Sequence, residues 1–136
     1  MIRKKILDKV NGYDQLLFNE DWDLWLRIAK DNKIDFMEGQ FCKYRIHPES
    51  MMRKSSSLVK VYKSSFKALI KHVGISDEYD KIISKHLYTY AVGMYRFGDI
   101  NNSFLKLNLK YNKNIKSLLY YLVGLLNIKL HQKKNI

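Results

Sequence analysis

The sequence predicts an α+β fold, mostly helical: a small mixed α/β unit over residues 1–53 followed by a basic helical bundle over residues 54–136. Three observations carry that prediction. Apolar residues alternate just before Pro48, then recur at three and four from Leu58 onward. Charge divides at the same place. Residues 1–50 hold nine Lys+Arg and nine Asp+Glu, whereas residues 51–136 hold sixteen against four, so the entire net charge of +12 lies in the second segment. The lone proline opens a polar, serine-rich stretch, residues 48–57, which reads as the linker.

Taken in order, residues 2–10 read as a short helix ended by the Asn11-Gly12 turn signal. Asn19 is placed to cap a second helix whose first turn carries Glu20, Asp21 and Asp23, where the helix dipole favours negative charge. Trp22, Trp25, Leu26 and Ala29 fall on one face of it, with Trp25 expected mostly in the core. Residues 34–37 read as a short strand and residues 40–47 as another. In the second, Cys42, Tyr44 and Ile46 alternate with Phe41, Lys43, Arg45 and His47. Pro48 holds His47 extended, so Arg45 and His47 should project from one face at a strand end. Beyond the linker, helical periods run over residues 58–73 and 79–97, each closed by a glycine, Gly74 and Gly98. Two further helices are expected, over residues 103–111 and from Ile115 to about Leu130.

Composition narrows the class. At 46% hydrophobic and 13% aromatic, 136 residues can build a packed core. The single cysteine, Cys42, cannot form an internal disulfide and reads as a buried, inert thiol. The most apolar run, residues 118–128, is 11 residues long, short of the roughly 20 that span a bilayer. His72, His86 and His131 lie scattered along helices, without a zinc spacing.

Residues 11–50 carry a sharper signal. Gly12-Tyr13-Asp14, the run Glu20 to Arg27 (EDWDLWLR) and Tyr44-Arg45-Ile46-His47 occur in that order. Together they resemble the GG(F/Y)D turn, the EDWDLWLR helix start and the YRxH strand end of family 2 glycosyltransferases of the GT-A fold. The resemblance covers residues 1 to about 53. It implies that this unit is the acceptor-side remnant of a catalytic domain. Such a domain transfers a sugar from a nucleotide-sugar donor to an acceptor hydroxyl, on a cell-surface polysaccharide or other glycan, or on a lipid-linked acceptor.

The resemblance also implies roles. Asp21 would be the general base, with Glu20 beside it and Trp22 at the acceptor. His47 would reach the diphosphate or a divalent metal, Mg or Mn, with Arg45 on the same face. The chemistry is coherent: an acceptor hydroxyl needs a base within hydrogen-bond reach, and a departing diphosphate needs cations. What such an enzyme uses to hold the nucleotide has no counterpart here. Asp21-Trp22-Asp23 has the letters D-x-D but opens a helix, and there is no glycine-rich phosphate loop. The expectation is therefore a C-terminal fragment, inactive alone, without a bound metal, and dimeric through an apolar face made by Ile6, Leu7, Leu16, Leu17, Phe18 and the helix from Trp22 to Ile28. The competing reading is a basic helical module for an anionic membrane surface or for nucleic acid. Nucleic acid is disfavoured because the lysines are spread and no recognition motif occurs. The expected location is cytoplasmic or peripheral at the inner membrane face.

Overall fold

The computed structural model describes residues 1–47, 55–99 and 101–129, the side chains of Ser55 and Ser56 apart. Most of the linker over residues 48–57, and His131, lie outside those residues. Six helices follow one another: α1 (Lys4–Lys9), α2 (Glu20–Asp31), α3 (Ser55–Ile70), α4 (Asp77–Arg96), α5 (Ser103–Tyr111) and α6 (Ile115–Leu125). Among the described residues there is no strand, which overturns the α+β expectation.

The two segments read as strands, 34–37 and 40–47, run as irregular, exposed chain. Among the described residues, no backbone hydrogen bond ties them to one another or to a third segment. Alternation equips a segment for a half-buried sheet, but a strand exists only when a neighbour supplies the ladder bonds. Both faces therefore stand in solvent: Phe36, Phe41, Tyr44 and Ile46 are all exposed. Cys42 is exposed too, not buried, because it shares this unpaired stretch.

The helices are better anchored. After α1 the chain turns through Asn11 (φ 58°) and Gly12 (φ 61°), a left-handed pair that suits asparagine and glycine. Asn19 holds the N-cap position of α2, but its side chain does not cap. It donates instead to Ser65 Oγ at 2.9 Å, while the Phe18 and Asn19 amides donate to Ser64 Oγ at 2.9 and 3.3 Å. Two buried serines of α3 thus fix the approach to α2.

On α2 the buried face is Asp23, Leu24 and Ile28, not the face through Trp25 and Ala29. Trp25 is 53% exposed, which corrects its core assignment. The run offers apolar residues on several faces; the one turned inward carries Asp23, which meets Lys71 just past the end of α3.

The main core lies between α3, α4 and α5, built from Phe66, Leu69, Ile83, Leu87, Met94 and Leu105. α3 and α4 approach closely at Gly93, where a Cβ would stand 2.4 Å from Cε2 of Tyr62. Ser76 caps α4, its Oγ accepting from the Tyr79 amide at 3.3 Å, ahead of the first-turn acids Asp77, Glu78 and Asp80. α6 docks on α5 through Ser117 and Gly124. Asn108 Nδ2 donates to Ser117 Oγ at 3.2 Å, and Asn102 Nδ2 to the Gly124 carbonyl at 2.7 Å. α6 stops at Leu125 rather than near Leu130 because Asn127 turns left-handed (φ 52°) just past the Leu126 C-cap.

Candidate functional site

The glycine turn and the start of α2 meet through one ionic network. Asp23, fully buried, accepts from Arg27 Nε at 2.8 Å, one helical turn along, and from Lys71 Nζ at 2.9 Å. Lys71 follows the last turn of α3 and also reaches Asp14 Oδ2 at 2.6 Å. Asp14 accepts from the Leu16 amide at 2.9 Å, which shapes the turn itself. Arg27 then donates to the carbonyls of Val10 and Gly12, the second at 2.7 Å. The planar guanidinium serves three acceptors at once, which an ammonium on a lysine stem could not do in this geometry.

The electrostatics follow from the contacts. The hydrogen bond from Lys71 holds the Asp14 carboxyl below its usual 3.8, helped by the Leu16 amide. Partial burial pulls the Lys71 ammonium down, but its bonds to Asp14 and Asp23 outweigh it and leave the group above its usual 10.5. His72, next in the chain, is pushed below 6.5, chiefly by burial. Its Nε2 is buried with no hydrogen-bond partner among the described residues.

The side chains singled out from the sequence stand around this network rather than in it. Glu20 and Asp21 are exposed in the first turn of α2, and Asp21 Oδ1 accepts from the Trp22 amide at 2.7 Å. Trp22 is half-buried, edge-on to Tyr90 with ring centroids 6.4 Å apart. Arg45 and His47 are exposed on the irregular chain, and among the described residues no hydrogen bond or ion pair brings either one to Asp21. The D-x-D letters separate likewise: Asp23 is consumed inside by two cations while Asp21 faces out. No three His, Cys, Asp or Glu side chains converge to hold a metal ion among the described residues. His47 stands exposed on the irregular chain, outside any such cluster.

Sequence reasoning missed Asp14, Asp23, Arg27 and Lys71 as a unit. A signal was present, since Asp23 and Arg27 lie four apart on one helix face. Lys71, 48 residues beyond Asp23, carries none.

Among the described residues no helix is long and apolar enough to cross a membrane. No family model matches the chain. No solved structure matches it significantly. One curated protein does: over 47 residues the chain is 43% identical to an uncharacterized glycosyltransferase of Methanocaldococcus jannaschii, a match that covers 34% of this chain and 16% of that protein. A third of this chain is thus similar to a small part of a glycosyltransferase.

Proposed function

We propose that the chain carries the acceptor-side end of a family 2, GT-A-type glycosyltransferase, with Asp21 as the carboxylate that takes the proton from an acceptor hydroxyl. The observation that supports this best is the ionic lock. Arg27 of the helix run donates to the turn carbonyls of Val10 and Gly12, and Asp23 is linked to Asp14 through the shared Lys71. Turn and helix start are held as one body, with the neighbouring Asp21 in solvent on the first turn. A base must be positioned before it can act, and a rigid first turn does that. The similarity to a glycosyltransferase supports the same reading. Trp22, anchored on Tyr90, supplies a flat apolar edge beside Asp21 for a sugar face. Glu20 adds a second carboxylate next to the base. Arg45 and His47 would serve a departing diphosphate only if the 40–47 segment were drawn toward α2.

In this reading the described residues supply acceptor-side groups and no nucleotide pocket. The chain alone is therefore proposed to leave nucleotide sugars unturned, the donor and any divalent metal being held elsewhere in a working enzyme. The test is heteronuclear NMR with oligosaccharides added. Amide shifts should concentrate at Asp21, Trp22 and their neighbours and vanish in Trp22→Ala, while a panel of nucleotide sugars stays intact. Shifts confined to α4–α6, or turnover that Asp21→Asn abolishes, would overturn the reading or its inactivity clause respectively.

A further inference from the structure

α6 leaves a full apolar stripe uncovered. Ile115, Leu118, Leu119, Leu122, Leu125 and Leu126 recur at three and four, so they share one side of the helix. All six are exposed, Leu119 to 54% and Leu126 to 71%. The opposite side is the one that docks, where Ser117 and Gly124 are buried against α5. A stripe of leucines on the outside of a helix already packed on its other face marks an interface.

Charge identifies what covers it. Residues 100–136 contain seven lysines and no aspartate or glutamate. Lys113 and Lys116 flank the start of the helix, and Lys129 lies beyond its far end. A cavity of about 620 Å³ opens at the same end, with Ile115 of the stripe on its wall beside Lys85, Tyr88, Thr89 and Lys116. A second copy of the chain packed isologously on the stripe would bring like lysines together. An anionic bilayer would neutralise them. At 11 residues α6 is about 16 Å long, half of a bilayer core, so it can lie in the interface but not cross it.

We infer that α6 is a membrane-surface anchor: its leucine stripe enters the headgroup boundary of a bilayer rich in anionic phospholipid, and its lysines, with the Lys85–Lys116 cavity, meet the headgroup phosphates. The inference does not rest on the glycosyltransferase reading.

Cosedimentation of the full chain tests it, using vesicles of phosphatidylcholine alone and of phosphatidylcholine with phosphatidylglycerol. Partitioning to the anionic vesicles should exceed that to the neutral ones by about tenfold or more, and fall as salt rises. Leu119→Gln with Leu122→Gln should lower it by about tenfold or more. Both side chains are exposed, so the helical circular dichroism and the melting temperature should not move. Lys113→Gln with Lys116→Gln should remove most of the preference for the anionic lipid. No binding at low salt overturns the inference, as does equal binding to both lipids or binding indifferent to the leucine pair. So does a wild-type dimer that the leucine pair dissolves while vesicles are ignored, which would assign the stripe to a second copy.

Discussion

Replacing Asp23 by asparagine removes the negative charge on which the network closes. The carboxylate is wholly buried and accepts from two cations, at 2.8 and 2.9 Å. A hydrogen bond to a charged group contributes about 1.5–3 kcal/mol, and breaking a fully buried pair costs about 3–5 kcal/mol. Here the loss is smaller, because Lys71 is 38% exposed and keeps Asp14, and Arg27 keeps the Val10 and Gly12 carbonyls. Discounting the solvent-screened lysine, Asp23→Asn should cost about 2–3 kcal/mol, or about 6–12 °C in Tm for a chain of this size. Asp21→Asn, two residues away and exposed, should cost less than about 1 kcal/mol. Urea unfolding followed by circular dichroism measures both. If Asp23→Asn unfolds within about 0.5 kcal/mol of wild type, or Asp21→Asn costs as much as Asp23→Asn, the division between a structural and a solvent-facing carboxylate fails.

The Asp14–Lys71 pair gives stability two limbs. Asp14 titrates below 3.8 in the fold, so its contribution is present above that pH and is lost as pH falls through the lower folded value. Lys71 titrates above 10.5, so its contribution is present below that pH and is lost as pH rises through the higher folded value. Lys71→Met should flatten both limbs in a plot of Tm against pH. Burial keeps His72 neutral below its usual 6.5, so its folded form resists protonation and stability falls as pH drops under that value. His72→Phe should abolish this slope below pH 6.5 without losing a hydrogen bond at Nε2. Gly93→Ala would drive a Cβ to 2.4 Å from the Tyr62 ring and should cost about 1–3 kcal/mol, partly recovered by Tyr62→Leu in thermal melts. Leu17, Leu24 and Ile28 of the expected dimer face are buried within the chain, and self-association is proposed through its exposed members, Leu16, Phe18 and Trp25. Sedimentation velocity at rising concentration should show a dimer, and a lone 16.2 kDa species throughout would remove the proposal.

The helical half was legible because its signals are local. The periods over 58–73 and 79–97 and the Gly98 that closes the second act within a turn or two of chain, and α3 (Ser55–Ile70) and α4 (Asp77–Arg96) form close to where those signals stand. The strands failed for the opposite reason. Alternation at 40–47 records what the side chains would suit, but pairing is a property of two segments, and among the described residues no second one is there. Cys42 and Trp25 were misplaced with it, since burial is set by what packs on a face rather than by its composition. The motif residues of the candidate site were visible as a pattern, yet their physical job was not. Arg27 ties the turn to α2 directly, but Asp14 is joined to Asp23 only through Lys71, which arrives from just past α3.

Asp21 and Asp23 are two residues apart on a helix, and two steps carry a side chain most of the way to the opposite face. One carboxylate is committed to holding the chain together and the other is left outside the structural contacts. Selection can therefore act on them separately. A substitution that retunes the outer acid, or the Glu20 next to it, leaves the scaffold where it was. A change at the inner acid takes from the lysine and arginine that face it the carboxylate they share. Within one turn of α2, an acid whose replacement spares the scaffold adjoins one tied to Arg27 of the same helix and to Lys71 just past α3.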